Sequence, residues 1–380
     1  MRRGAAPTGG PRREGSLLLA CSLVALAACE EARAPRPSDP SPAVRAEPEP
    51  SGCELGEPVT WLERAHARGS LAVAPSDEGA LVVLAAGGEL AVRELSADGR
   101  PRSPARHAPL SVGAILALEP VGAHHVLVAR GPCEGSAHCL HALALEGGAP
   151  AGPPVTVPLP DPIRTFRRAS TGRSVLVAWS TASGHRGLER FALGAELSHV
   201  RAALGTEPAS EESPVEILGL AADGDRFAVV WRRGPTEDVR SQVFVTSASS
   251  HADVHALHHA VALDAVALDG ETLDLIATFE YSRPHHLRLR LGADEPEHAR
   301  AIGRGAPIPA PFAERERAEL DADARGLWLR RSDAAGDPVG GRIRVAPGRI
   351  ESAALARVGG ALLVAWQADG EVRGRLVRCP

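Results

Sequence analysis

Seven short apolar runs recur along the chain: Leu81–Leu84, Val126–Ala129, Val175–Trp179, Phe227–Trp231, Leu275–Phe279, Gly326–Leu329 and Leu362–Trp366. With the fifth position of each run as marker, they fall at 85, 130, 179, 231, 279, 330 and 366, at intervals of 45, 49, 52, 48, 51 and 36. Each run follows an apolar segment that ends in a turn, as in Leu71–Gly79 and Ile217–Gly224. Each is followed by a turn and an alternating segment, as in Glu89–Leu95, Leu287–Leu291 and Val372–Val377. A proline-marked fourth segment often comes next, as in Pro153–Leu159. Period-two alternation with Gly, Asp and Pro punctuation predicts strands joined by hairpins. The second strand of each unit is apolar throughout and should be buried on both faces. The third alternates with arginine and should turn one face to solvent. Ala313–Leu320 has helix-forming composition, but it falls where a unit begins and reads as the start of a strand or a short surface turn.

Four strands per unit and about seven units resemble a β-propeller, over residues ~53–380. The chain shows no WD dipeptide signature, no kelch Gly-Gly pair at fixed places and no S-x-D-x-G-x-x-W box, so the resemblance is to an architecture rather than to a named family. The last unit has three strands, Ala353–Val358, Ala361–Trp366 and Val372–Val377, and Pro58–Glu63 is expected to supply the fourth. Sharing a blade between the termini closes the ring and removes exposed edges. The sixth unit has the short interval and is where a strand is expected to be lost, so the sequence leaves six, seven or eight blades open. The alternative fold is two β-sandwich domains.

Composition narrows the chemistry. The chain contains no lysine and no asparagine, so all 42 basic residues are arginine. A lysine Schiff base, a P-loop lysine, a Ser–Lys dyad and an N-glycosylation sequon are therefore excluded. With 47 acidic residues the formal net charge is −5, which argues against a nucleic-acid binder. A coiled coil, a collagen-like rod and a polytopic membrane protein are excluded on the same composition.

The N-terminus carries an address. Arg2, Arg3, Arg12 and Arg13 precede a 12-residue apolar run, Leu17–Ala28, which is too short to span a bilayer as a helix and has the layout of a secretory signal. The sequence Leu26-Ala27-Ala28-Cys29 directly after it resembles the lipobox of bacterial lipoproteins. The resemblance implies cleavage before Cys29 and acylation of that cysteine. Residues 1–28 would be the signal peptide, 29–52 a proline-rich tether and 53–380 the propeller. Removing four arginines and Glu14 takes away +3, so the mature chain carries −5 − 3 = −8. Lipid rather than charge would then hold it at a membrane.

After Cys21 leaves with the signal and Cys29 takes the lipid, four cysteines remain, with three pairings available. The favoured pairing is Cys133 with Cys139, bracketing a hairpin tip, and Cys53 with Cys379, joining the two ends of the body. The C-x5-C spacing without a second close pair argues against a metal site.

The densest cluster of candidate ligands is His251, Asp253, His255, His258 and His259. On a helix the four histidines would share a face suited to zinc; on a strand His251, Asp253 and His255 would line one face; the plain alternative is a solvated inter-blade loop. His124-His125 and His285-His286 add imidazoles elsewhere. Glu207, Glu211 and Glu212, then Asp321 and Asp323, are the acidic groupings that paired-carboxylate glycan chemistry would need, but no spacing singles out a pair. Asp223-Gly224-Asp225 lacks the further oxygen ligands of a calcium loop and reads as a turn. No G-x-S-x-G elbow or phosphate-binding glycine loop is present. Trp179, Trp231 and Trp366 end equivalent runs, with Phe279 at the matching place; they should pack between blades, the alternative being a ligand-stacking ring.

These features point to a membrane-anchored envelope lipoprotein whose propeller binds or scaffolds an unknown partner without catalysis or cofactor. The alternatives are a glycan hydrolase or lyase and a sugar- or small-ligand-binding module. The expected partners are the membrane, through the lipid, and another envelope protein or a glycan. The body is expected to be monomeric, and the outer membrane is favoured over the inner.

Overall fold

The computed structural model describes residues 52–63, 69–202, 215–224, 226–233, 238–245, 248–253, 260–279, 284–290, 296–301, 317–333 and 338–379. Cys29 and all but the last residue of the tether lie outside them. The described residues form strands and turns, with no helix.

Two short strands open the body, β1 (Glu54–Leu55) and β2 (Val59–Leu62). Blade 1 follows as β3 (Ser70–Ser76), β4 (Gly79–Ala86), β5 (Glu89–Ser96) and β6 (Arg106–Pro109). Blade 2 is β7 (Ala114–Val121), β8 (His124–Cys133) and β9 (Ser136–Glu146), with an outer strand broken into β10 (Ala149–Pro150) and β11 (Val155–Pro158). Blade 3 is β12 (Ile163–Thr171), β13 (Ser174–Thr181), β14 (Arg186–Leu193) and β15 (Leu197–Ala202). Blade 4 is β16 (Val215–Asp223), β17 (Arg226–Arg233), β18 (Asp238–Val245) and β19 (Ala248–Asp253). Blade 5 is β20 (Ala260–Asp269), β21 (Thr272–Phe279), β22 (His285–Arg290) and β23 (His298–Ala301). Blade 6 has three strands, β24 (Arg317–Asp323), β25 (Gly326–Ser332) and β26 (Ile343–Pro347). Blade 7 is β27 (Ser352–Val358), β28 (Ala361–Ala368) and β29 (Glu371–Arg378), completed by β1 and β2, which both pair with β29.

Every sheet is an antiparallel meander, and together the sheets make a β-propeller. Six of the seven sheets carry four or more strands, and the three-stranded one is the sixth, where the repeat interval shortens. The expectation of about seven four-stranded blades is corrected to that extent. Two β-sandwiches are excluded because the cores lie between successive blades rather than between two stacked sheets. Leu81, Val83 and Leu90 of blade 1 pack with Leu127 and Leu143 of blade 2, and Val126 and Val128 on the opposite face of blade 2 pack with Val175 and Val177 of blade 3. The same arrangement joins blades 3 and 4, blades 4 and 5, blades 6 and 7, and blades 7 and 1.

This packing explains the binary pattern. A second strand lies mid-blade with a neighbour on each face, so both faces must be apolar; β13 and β28 are buried at all eight positions. The third strand behaves differently from expectation. Its polar face is not always left to solvent: Glu189 in β14 is wholly buried. Ala318–Leu320 of the helix-like stretch belong to β24, and residues 313–316 lie outside the described residues.

The seam at blade 7 is held several times over. Leu55 pairs with Val377 in the β1–β29 ladder, and Val59 pairs with Gly374 in the β2–β29 ladder. The indole of Trp61, fully buried, lies directly on Gly374, where a Cβ would collide with its ring. The Trp61 Nε1–H donates to the Gly99 carbonyl at 2.9 Å, and Arg93 donates to the Trp61 carbonyl, so blade 1 grips the same residue. Cys53 is bonded to Cys379 across 326 positions of sequence, with the Cα atoms 4.2 Å apart. The second disulfide joins Cys133 to Cys139 at the β8–β9 tip.

Gly374→Val should destabilise the propeller by about 2–3 kcal/mol through overpacking against Trp61. Gly360→Ala, where a Cβ meets nothing within 4 Å, should stay within about 0.5 kcal/mol of wild type. Replacing Cys53 and Cys379 together by serine should cost about 2–5 kcal/mol. Urea unfolding midpoints at constant m-value check all three, and a Gly374→Val midpoint equal to wild type would show that Trp61 does not lock the seam.

Candidate functional site

The candidate chemistry divides into groups satisfied within the fold and groups that line cavities. Two buried carboxylates belong to the first kind. Glu189, with no exposed surface, accepts from Trp179 Nε1 at 3.0 Å, Arg201 Nε at 2.8 Å and His199 Nε2 at 2.6 Å. Asp274 in β21, 1% exposed, accepts from His286 Nε2 at 2.7 Å and from Arg288 Nε at 3.0 Å and Nη2 at 3.3 Å. In both cases the arginine is the cross-strand partner of the acid and the histidine stands two residues before it, as His199-Val200-Arg201 and His286-Leu287-Arg288. A His-x-Arg pair on the next strand thus neutralises a mid-blade acid. The Asp274 hydrogen bonds and charge hold the Arg288 guanidinium above its ordinary range. Sequence reasoning missed this device, although a lone acid among apolar positions, as in Leu273-Asp274-Leu275, was a visible signal.

Other histidines are also structural. His125 is buried and its Nε2–H donates to the Pro75 carbonyl of blade 1 at 2.8 Å. His141 donates from Nε2 to the Pro132 carbonyl at 3.0 Å, and its Nδ1 faces the Thr156 hydroxyl at 3.3 Å. Burial, the dominant cause in both, pushes these imidazoles below their ordinary value; the carbonyl contacts oppose it only partly. Of the proposed histidine ligands, His251 lies on β19 opposite Gln242 of β18, which fixes its segment as a strand and not a helix. His255, His258 and His259 lie outside the described residues. Among the described residues no group of three or more His, Cys, Asp or Glu could hold a metal ion.

The acidic groupings resolve similarly. Asp321 accepts from Arg330 at 2.7 Å and Arg342 at 2.9 Å, while Asp323 accepts the backbone N–H groups of Arg325 and Gly326 at its turn. Asp223 accepts the Gly270 N–H at 2.9 Å, tying the turn of blade 4 to that of blade 5. Glu207, Glu211, Glu212 and Asp225 lie outside the described residues.

Trp179, Trp231 and Trp366 are 2%, 1% and 4% exposed and belong to the inter-blade cores, so they form no stacking ring around a funnel. Arginines lie over them instead: Arg186 of blade 3 over Trp231 of blade 4 at 4.2 Å, Arg201 over Trp179 at 5.8 Å and Arg375 over Trp366 at 6.0 Å. Each is a cation–π contact of the kind a guanidinium makes best.

Among the described inner strands β12, which reads Ile-Arg-Thr-Phe-Arg-Arg-Ala-Ser-Thr, carries the most arginine; β24 is charged too, but mostly acidic. Its neighbours β7 and β16 each carry a bulge that frees a carbonyl from the ladder. Arg168 donates to the Leu116 carbonyl at 3.3 Å and pairs with Glu119 at 3.1 Å, while Arg167 donates to the Leu218 carbonyl at 2.9 Å. Blade 3 is thereby laced to both neighbours near the axis.

Two cavities flank the interface of blades 2 and 3. One, of about 330 Å³, lies beside the tip of the β8–β9 hairpin, near Arg130, His138, Leu159 and Ile163. The other, of about 300 Å³, lies at the opposite strand ends beside His124, Glu146 and the Ala195–Leu197 turn. The broad apolar rim patch that a docking propeller could carry is not found among the described residues, where Leu55 and Val200 are the exposed large hydrophobics.

No protein-family model matches the chain, and no curated protein matches its sequence. In structure it is similar to the N-terminal domain of Nup159 and to a chain of an S. cerevisiae complex of Dbp5 with Nup159, Gle1, IP6 and ADP. In each case the identity is 10%, the TM-score is 0.43, and the match covers 86% of this chain and 95% of the other.

The two buried imidazoles generate a pH prediction. They stay neutral when folded but take up a proton near pH 6.5 when unfolded, so the unfolded chain binds more protons as the pH falls. Their contribution is complete above about pH 6.5, declines as the pH drops from there towards the folded values, and then levels off. The double variant His125→Gln, His141→Gln should flatten the urea midpoint against pH between 7 and 5. An unchanged slope would assign the acid sensitivity to other groups.

Proposed function

We propose that this chain is a lipid-anchored envelope lipoprotein whose propeller is a non-catalytic binding module for another envelope component. The observation that carries the reading is that the candidate catalytic groups are engaged within the fold. The buried Glu189 and Asp274, the buried His125, His141 and His286, and the surface acids Asp321 and Asp323 all have partners there. A ring with these groups taken up and stapled by two disulfides is suited to presenting loops rigidly. The signal-like N-terminus ending at Cys29 supplies the anchor, and the proline-rich segment after it a semi-extended spacer. The acidic mature charge leaves attachment to the lipid.

Cys29→Ser in the full-length chain should move the protein from the membrane pellet to the soluble fraction after carbonate-free lysis. Retention in the pellet would overturn the anchor. Cross-linked pull-down of the lipidated chain and of the 53–380 body from the native envelope should recover one stoichiometric protein partner with both forms. Recovery of background alone would overturn the binding role.

A further inference from the structure

We propose that the cavity beside the tip of the β8–β9 hairpin binds a small organic anion, its acidic group held by Arg130 and its apolar body lying against Leu159, Ile163 and Pro132. The inference is independent of the envelope reading and concerns one interface of the ring.

Size comes first. About 330 Å³ falls within the range of small-molecule pockets and holds roughly eleven non-hydrogen atoms at ~30 Å³ each. The sign of the charge follows from the wall. Arg130 and His138 face the cavity and no Asp or Glu lines it. Arg130 is exposed and makes one hydrogen bond among the described residues, from Nη1 to the Ile163 carbonyl, at the long limit of 3.5 Å. Among the described residues it makes no ion pair with a carboxylate. A guanidinium at a cavity wall with donors to spare can receive a carboxylate side-on. Arg164 follows Ile163 on the bulged start of β12 and is exposed, adding positive charge at the same strand end.

The walls are fixed in advance. β8 and β9 run ten and eleven residues, longer than the eight of β4 and β5, so this hairpin projects beyond those of its neighbour. The Cys133–Cys139 disulfide closes its tip, and Cys139 is itself a wall residue. Gly131 packs so closely on Ser111–Gly113 that a Cβ would collide with that backbone, and the Gly113 N–H donates to the Arg130 carbonyl at 2.7 Å. Blade 2 thus holds the arginine while β12 of blade 3 supplies the apolar floor. A preformed site loses less on binding than one that must be ordered.

The test uses phenylpropionate, with eleven non-hydrogen atoms, and its isosteric neutral amide, titrated calorimetrically into the disulfide-intact 53–380 body. The acid should bind at least about tenfold more tightly than the amide, the ratio one charge-assisted hydrogen bond produces. Arg130→Gln, at an exposed position, should bring the acid down to the affinity of the amide. Gly113→Leu, where a Cβ meets only the Arg130 carbonyl at 3.7 Å, should fill the space and abolish binding of both, with the unfolding midpoint reporting an intact fold. Equal binding of acid and amide, an acid preference that survives Arg130→Gln, or no binding of either up to about 5 mM would each overturn the proposal.

Discussion

The ring depends on β29 being paired along both edges. One edge joins β28, and the other takes β1 and β2 from the far end of the sequence. Without those two strands blade 7 would end on an open ladder beside blade 1, and the core that joins those blades would lose Trp61 and Leu62. Closing a loop of this length is entropically costly and rewards the chain only when the last contacts form. The seam accordingly concentrates unusual contacts: an indole seated on a glycine, an arginine from blade 1 on the carbonyl of that tryptophan, and a covalent bond one residue beyond the strand. Arg331 of blade 6 also reaches Cys53 Sγ at 3.3 Å, so three consecutive blades converge on the closure.

A chain with arginine as its only strong base solves its internal electrostatics in a characteristic way. Guanidinium groups are planar, so they can lie over tryptophan faces between blades and still turn N–H groups to carbonyls or acids. Arg201 does both, stacking near Trp179 and donating to Glu189, to which Trp179 also donates. The result is an acid that can be buried completely because three donors meet it, where an isolated carboxylate at that depth would be forced to take up a proton. The same logic governs the axis, where bulges in β7 and β16 release carbonyls that Arg168 and Arg167 accept as partners. Polarity inside this propeller is structural glue wherever it is paired.

Much of the architecture was legible in the sequence because one constraint dominates it. A second strand packed on both faces must be apolar throughout, and all seven such runs fall in β4, β8, β13, β17, β21, β25 and β28. The short sixth interval marked the three-stranded blade, and Pro58–Glu63 held β2. The site was far less legible. Whether a polar third-strand residue meets water or the next blade depends on the tilt between sheets, which alternation along one strand does not encode; Glu189 ends with no exposed surface, although its residue type alone would place it in water. The histidines drew attention by density, yet His125, His141, His199 and His286 act singly, each consumed by a carbonyl or an acid within the fold. Asp321 and Asp323 sit two apart, yet both are taken up within blade 6: Arg342 lies 2.9 Å from the first and 3.5 Å from the second, and Asp323 also accepts from its own hairpin turn.

Besides the three-stranded blade 6 and the composite blade 7, two departures from the repeat meet at one interface. Among the described residues, blade 2 has the longest hairpin and a broken outer strand, and blade 3 has the most arginine-rich inner strand. A propeller blade is a wedge, and neighbouring wedges fill the gap between them only when their strands match in length. Lengthening β8 and β9 carries the hairpin past the end of the blade 3 packing surface and leaves space beside its tip; breaking the outer strand into β10 and β11 leaves space at the opposite ends. The two cavities are thus geometric consequences of the same mismatch. A mismatch that is also cross-linked at its tip and laced by arginine at its inner edge costs stability that a purely structural unit has no reason to give up. That is the physical ground for seeking the function of this ring at blades 2 and 3 rather than on its axis.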